Sequence, residues 1–261
     1  MTIRNDPSRS GEADAIILIK AAPQIGLRHG ETVCCAGIGL DGRWLRLYPV
    51  SFRTLDDAQK FGRWDRVHFK WRKPNDDQRI ESLRVDQDSI SITGTLKPSE
   101  RERFLGGLIA TSLESERSRG KSLALLKAHN FEFKIEKRSA AEIAADQTRF
   151  TALHAQKDLF NTKTMIPYTP CPYRFKYKYR TDDGDREGTC QDWEIEATYF
   201  KWSRDYGEEA ALLRMQQVFG VDYPAKGMLL AMGTHSQYPD TWLINGVIRL
   251  NDIIQGSLPF G

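Results

Sequence analysis

The segment Cys171–Arg180, CPYRFKYKYR, alternates without a break. Tyr173, Phe175, Tyr177 and Tyr179 hold one set of positions, and Arg174, Lys176, Lys178 and Arg180 hold the other. A period of two belongs to an extended strand, whose successive side chains leave on opposite faces. The residues beyond it read as a unit built around that strand. Asp182-Asp183-Gly184 predicts a turn, and Arg186–Cys190 a strand pairing back. Asp192 suits an N-cap for a helix through Tyr206, with Glu194 and Glu196 at the positive end of its dipole. Gly207 separates a second helix, which Gly220 is expected to end; Met228–Met232 and Thr241–Leu250 read as closing strands.

The N-terminal third is rich in short β-type runs. Ala15–Lys20 (AIILIK) predicts a buried strand, preceded by a frayed tail over Met1–Asp14. Thr32–Ile38 and Trp44–Val50 flank Asp41-Gly42, a strong hairpin signal. Phe52–Phe61 suggests one or two helical turns, and Val67–Trp71, Leu83–Val85 and Ser89–Thr93 further strands. So many short strands predict a small barrel or a strongly bent sheet. In the middle, Pro98–Ser112 is helical and interrupted at Gly106-Gly107. Leu123–Lys127 and Phe131–Glu136 either extend the barrel or begin a second sheet. Ser139–Glu142 is a capping box ahead of a helix to about Leu153, and Asn161–Pro172, with three prolines, is the best linker. The expected class is α+β: an OB-like barrel or bent sheet over 13–137, a helix and linker over 138–170, and a C-terminal α/β part with a helical hairpin over 171–261.

With 261 residues, 40% of them hydrophobic, the chain can bury a core, which excludes a disordered chain. No apolar run is long enough for a membrane span, and the first residues lack the apolar core of a secretory signal, so a cytoplasmic protein is expected. The net charge of +3 is mild, but Arg43–Arg84 holds eleven Lys/Arg against six Asp/Glu. Asp192–Ala210 holds six Asp/Glu against two Lys/Arg, a patch suited to a protein partner. The four cysteines, Cys34, Cys35, Cys171 and Cys190, read as reduced and mostly buried. Cys34 and Cys35 would face opposite ways on a strand, which disfavours a shared metal. Cys171, Cys190 and a histidine are the alternative. No metal or cofactor is expected.

Two resemblances rest on particular residues. Glu31–Ile38 (ETVCCAGI), Gly42–Val50 (GRWLRLYPV) with Phe52-Arg53, Asp192-Trp193-Glu194-Ile195, Met232-Gly233-Thr234 and Trp242–Val247 together resemble a bacterial family of uncharacterised proteins. That likeness spans nearly the whole chain and carries no activity with it. The opening 50 residues alone are also similar to dual OB-fold proteins of prokaryotic conflict systems. This resemblance implies a barrel that holds nucleic acid with a positive groove and aromatic platforms, in a defence or mobile-element setting.

The residues offer three constellations. Arg43, Trp44, Arg46, Tyr48, Arg53, Lys70, Trp71, Arg72 and Lys73, with Trp64 nearby, interleave cations and rings as a phosphate-and-base surface requires. The bland reading makes the tryptophans core and the arginines surface partners. Arg174, Lys176 and Lys178 present cations about 6.8 Å apart, close to the phosphate spacing of an extended strand, or else guard a sheet edge. Asp76, Asp77, Arg79, Glu81 and Ser82 form either a turn or an acidic site. With His29, Glu31 and His235, Asp77 and Glu81 furnish the acid, base or metal-ligand candidates of an alternative nucleotide- or nucleic-acid-processing hydrolase. Nucleic-acid binding, DNA or RNA, is the leading expectation, and a protein-interaction subunit is a third reading.

Overall fold

Alternate apolar residues of five strands turn inward and close those strands into a barrel. The computed structural model describes residues 9–26, 30–158, 168–235 and 238–250. Strands β1 (Ser10–Lys20), β2 (Gln24–Gly26), β3 (Gly30–Gly39), β4 (Trp44–Val50), β5 (Asp65–Arg72), β6 (Ser82–Val85) and β7 (Ser91–Thr95) form the N-terminal sheet. The pairing runs β1-β3-β4-β6-β5 and returns to β1, with β2 added to β3 and β7 to β5. Within the ring only β4–β6 is parallel. This order, with the last two barrel strands exchanged, is the Greek-key arrangement of an OB-type barrel. Ala15, Ile17, Val33, Cys35, Leu47, Val67, Phe69, Leu83 and Val85 fill it, joined by Phe52, Leu55 and Phe61 from the β4–β5 connection. That connection contains two short 3-10 turns, Phe52–Thr54 and Asp57–Gln59, where helical turns were expected.

The Asp41-Gly42 hairpin forms as its residues dictate. Gly42 takes φ +79°, and its N–H donates to the Gly39 carbonyl at 2.9 Å. The N-terminal tail is shorter than expected. Ser10–Asp14 continues β1 alongside β5, Ser10 opposite Arg72 and Glu12 opposite Lys70, because β5 needs a partner along its full length to close the ring.

The rest of the described chain runs α1 (Pro98–Gly106), β8 (Ile109–Ala110), α2 (Leu113–Ser118), β9 (Leu123–Lys127), β10 (His129–Lys137), α3 (Ala140–Asp158), β11 (Tyr173–Thr181), β12 (Gly184–Thr189), α4 (Trp193–Tyr206), α5 (Glu208–Gln217), a π turn (Val218–Asp222), α6 (Tyr223–Ala225), β13 (Met228–Thr234) and β14 (Trp242–Arg249). It builds one sheet in the order β14-β13-β9-β8 and another in the order β10-β11-β12. Thus β9 and β10 extend no barrel. Leu125 lies opposite Ala231 of β13, and Glu132 opposite Lys178 of β11, so both strands associate with the last third of the chain. The expected boundary at residue 137 falls at the end of a strand that pairs across it. The capping box forms, with the Glu142 N–H on Ser139 Oγ at 3.2 Å and the Ser139 N–H on Glu142 Oε2 at 3.0 Å, and its helix continues past Leu153. Most of the expected linker, residues 161–167, lies outside the described residues. Gly220 does not end α5. It sits in the π turn, where an added Cβ would stand 3.2 Å from that of Phe133, and the helical path stops at Gly227.

Layering explains the apolar runs. Strand β13 is buried at every position because its sheet is covered on both faces. Leu123, Leu125, Leu229, Ala231 and Ile248 pack on the outside of the barrel, against Ile16, Leu18, Ala36, Ile38 and Trp44. Ala124, Leu126, Leu230, Met232 and Ile244 pack the other way, against Phe133, Phe175, Tyr177, Tyr199 and Met215. The aromatic face of the alternating strand is therefore core. No helix among the described residues is long and apolar enough to cross a membrane.

Asp192 ties the layers. Its Oδ1 accepts the Glu194 N–H at 3.0 Å as the α4 cap, and its Oδ2 accepts the Val247 N–H at 2.8 Å and Arg63 Nη2 at 2.7 Å. Arg63 also reaches Glu194 at 3.2 Å and the Val247 carbonyl. Replacing Asp192 by Ala leaves a largely buried guanidinium short of its partner, and the expected loss is about 3–5 kcal/mol of unfolding free energy, measured by urea titration.

Candidate nucleic-acid interface

Alternation along β4 places Trp44, Arg46 and Tyr48 on one side and Leu45 and Leu47 on the other, the latter turned into the barrel. The outer side is where an OB barrel usually receives its ligand, on its second and third strands. Here the β14-β13-β9-β8 sheet lies over much of that side. Trp44 is core, and Trp64, also buried, carries the Arg101 guanidinium 4.7 Å from its ring centre. Arg46 is only 2% exposed. Its Nη2 donates to the Ser122 carbonyl at 3.0 Å and to Ser122 Oγ at 3.1 Å, and its Nη1 lies 3.5 Å from Cys34 Sγ. The expectation that Arg46 neutralises phosphate and Trp44 stacks on a base is corrected by this burial.

The acidic candidates complete the same junction. Glu81 accepts the Ser122 N–H at 2.8 Å and its hydroxyl at 2.7 Å. Asp77 accepts two bonds from Arg79 Nε, at 2.9 and 3.2 Å, one from Nη2 at 2.6 Å, and one from Ser82 Oγ at 2.7 Å. Arg79 then donates to the Thr234 carbonyl at 2.9 Å, joining the β5–β6 loop to β13. Desolvation works to raise the Asp77 carboxyl, but the bonds from Arg79 and Ser82 outweigh it and lower its pKa to about 2. Glu31 is buried and takes Arg53 Nη1 at 2.9 and 3.0 Å, while Arg53 also lies 5.8 Å from the Tyr168 ring centre. These carboxylates hold elements together through their bonds to Arg79, Ser82, Ser122 and Arg53. His235 stands beside Tyr238, with ring centres 5.1 Å apart, and His29 lies outside the described residues. Among the described residues no three His, Cys, Asp or Glu side chains cluster as metal ligands would. All four thiols are free. Burial pushes the Cys171 thiol up to about 12 and raises the Cys35 and Cys190 thiols as well.

The cationic face of β11 is neutralised by its neighbours. Lys176 lies 2.9 Å from Glu136 and 3.8 Å from Glu187, Lys178 lies 3.7 Å from Glu132, and Arg174 lies 3.1 Å from Glu142. The Ser139 N–H and then Arg174 lower the Glu142 carboxyl to about 2, and the Lys176 bond holds Glu136 below its ordinary range. A phosphate chain arriving here would meet acids on both flanking strands. The acidic stretch 192–210 is likewise partly turned inward. Asp192 and Glu194 meet Arg63, Glu196 accepts the Tyr168 hydroxyl, and Glu208 accepts that of Tyr173 at 2.6 Å.

Cations remain open elsewhere. Strand β5 alternates Val67, Phe69 and Trp71 toward the barrel with Arg66, His68, Lys70 and Arg72 outward. Lys70, Trp71 and Arg72, together with Pro49, Arg84, Val85, Asp86, Gln87 and Asp88, line an open groove of about 590 Å³. Arg72 is directly opposite Arg84 in the β5–β6 pairing, and Arg84 is opposite Tyr48 in the β4–β6 pairing. Arg72 is exposed and makes no side-chain bond among the described residues. Among the described residues the Lys70 ammonium reaches only Glu12, at 3.9 Å. Lys73 bonds the Ile80 carbonyl at 2.9 Å, away from the groove's lining. Arg43, 81% exposed at the hairpin tip, is paired with Asp41 at 2.6 Å. Of the residues singled out in the sequence, the structure gathers Lys70, Trp71 and Arg72 in this groove. Arg84 was missed, though it stands two residues from Ser82 on a strand that was recognised.

Residues 12–106 match a domain of unknown function, DUF8758, and residues 108–257 match another, DUF8757. The chain belongs to the DUF8757 family. The DUF8758 match takes in the barrel, and the DUF8757 match takes in both C-terminal sheets, so the two meet at the end of α1. No curated protein matches the sequence. A solved structure described as the molecular basis for abrogation of activation of pro-inflammatory cytokines is similar over 70% of this chain and 76% of that one, at 8% identity and a TM-score of 0.30. That likeness is too loose to bear on function.

Two measurements probe the junction of this DUF8757 protein. Arg46→Ala should lower the unfolding free energy by about 3 kcal/mol, through lost charged hydrogen bonds and a cavity, with oligonucleotide affinity unchanged in the folded fraction. The Asp77 carboxyl is depressed from 3.8 to about 2, so its contribution is complete above pH about 4 and is lost as pH falls through 2. The melting-temperature gap between wild type and Asp77→Asn should therefore be widest above pH 4 and close toward pH 2.

Proposed function

We propose that the protein binds nucleic acid through the β5–β6 groove. The observation that carries this reading is an open groove lined by Lys70, Trp71 and Arg72, in which the exposed Arg72 side chain makes no bond among the described residues. A phosphate arriving at Arg72 gains a charge-assisted hydrogen bond from its open guanidinium. Trp71 supports contact with a base. Its ring lies against the backbone at Gly11, where an added Cβ would stand 3.5 Å from the indole, and its half-buried edge lines the groove. The groove falls within the range of about 300–1,000 Å³ common to ligand sites. This reading moves the interface around the barrel from β4 to β5 and β6. A cytoplasmic role in a defence or mobile-element system belongs to the same proposal, and its support is the resemblance of the opening residues.

Fluorescence anisotropy of labelled single-stranded DNA, duplex DNA and RNA across salt concentrations tests the proposal. Contacts to about three phosphates of a single strand give a log–log salt slope near −2, at about −0.7 per phosphate. Arg72→Ala should weaken binding to every sequence alike and reduce the magnitude of that slope by about 0.7, with the melting temperature unchanged. Absence of binding to all three ligands at low salt would overturn the assignment.

A further inference from the structure

The cations of β5 reach beyond the groove. The strand pairs with β1 in unbroken register, from Ser10 opposite Arg72 to Ile16 opposite Arg66, so Arg66, His68, Lys70 and Arg72 form one outward row. At about 3.4 Å per residue, neighbours in the row stand about 6.8 Å apart and its ends about 20 Å apart. Both end members are open. Arg66 is exposed like Arg72, and its side chain makes no bond among the described residues. Between them, His68 lies 3.3 Å from Asp14 and 3.7 Å from Glu12, and Lys70 lies 3.9 Å from Glu12. Those acids belong to β1. On the other flank β7, SITGT, holds no charged residue and is exposed throughout. Its Ser91 stands opposite His68 and its Gly94 opposite Arg66, which places both on the outward face. A Cβ added at Gly94 would meet nothing within 4 Å.

Such a row suits an extended polyanion. Successive phosphates of an extended single strand repeat at close to the same interval, so a strand laid along β5 brings one phosphate to each of the four positions. Arg72, Lys70 and Arg66 meet three of them. At His68, which β1 already engages, the exposed Ser91 hydroxyl makes no bond among the described residues and supplies the donor. The acids of β1 turn the backbone toward β7, where Gly94 leaves room. A duplex follows this row poorly, because it advances only about 3.4 Å per nucleotide along its axis while its backbone winds away. The row also has limits. Two residues before Arg66, Trp64 is buried beneath the Arg101 guanidinium, and just past Arg72, Lys73 is bonded to the Ile80 carbonyl. Resting on the proposed nucleic-acid reading, we infer that the ligand is a single strand that leaves the groove and runs along the β5–β7 face to Arg66, with a footprint of about four nucleotides.

The test measures fluorescence anisotropy of labelled oligothymidylates from two to eight nucleotides long. Affinity should climb with length to about four or five nucleotides and then level off, as the row fills. Arg66→Ala should weaken the eight-nucleotide strand about tenfold at low salt and reduce the magnitude of its salt slope by about 0.7, leaving the two-nucleotide strand unaffected. Gly94→Asp sets an acid in the path without a clash, and it should weaken the long strand likewise with the melting temperature unchanged. Arg72→Ala, at the groove itself, should weaken every length. Affinity that does not depend on length, or long-strand binding indifferent to both Arg66→Ala and Gly94→Asp, overturns the path while leaving the groove reading standing. Failure of every strand to bind overturns both the path and the reading beneath it.

Discussion

Burial of one side of the barrel against a second sheet is the constraint on which the rest of the molecule depends. The contact joins Ile16, Leu18, Ala36, Ile38 and Trp44 to Leu123, Leu125, Leu229, Ala231 and Ile248. It makes Ala15–Ile19 of β1 and the whole of β13 buried on both faces, since these stretches lie between two packed layers. Polar groups caught in the contact must find partners there, because an unpaired buried charge is costly. Arg46, Ser122 and Glu81 bond one another across it, and Arg79 carries the chain of contacts on to β13. Asp192 and Arg63 perform the same service at another edge.

That contact also decides which cations are available. In a free OB barrel the outer side of the second and third strands is the natural binding surface. Covered as it is here, its arginine becomes structural. Lys70 and Arg72, on the outward side of β5, are exposed. An interface assigned from the fold alone would fall on β4, where Trp44 and Arg46 are buried.

Much of the fold was legible because local chemistry and global packing agree. Asp41-Gly42, the Ser139–Glu142 capping box, the Asp192 cap and the period-two strand each carry their structure in a few adjacent residues. The destinations of β9 and β10 were not legible, since an apolar run such as LALLK does not say which strand it will pair with. The site was legible only in part. Lys70, Trp71 and Arg72 stood out as charge beside aromatic, and the alternation over Asp65–Arg72 turns the two cations outward and packs the ring toward the barrel, with all three still lining the groove. Arg46 shows the limit. Alternation placed it on the right face, and only the tertiary contact shows what that face meets.

Two strands with nearly the same pattern end with different electrostatics, and the difference lies in their neighbours. On β11 the cations Arg174, Lys176 and Lys178 meet acids on β10, on β12 and at the start of α3, so the strand becomes a ladder of ion pairs. On β5 the outward set Arg66, His68, Lys70 and Arg72 meets acids toward β1, where Asp14 lies 3.3 Å from His68 and Glu12 lies 3.9 Å from Lys70. Toward β6, Arg72 meets Arg84 instead. A cationic stripe on a strand is therefore not itself a binding signal. What distinguishes β5 is that Arg72, exposed beside the groove, makes no side-chain bond among the described residues, whereas each of the three β11 cations already meets an acid.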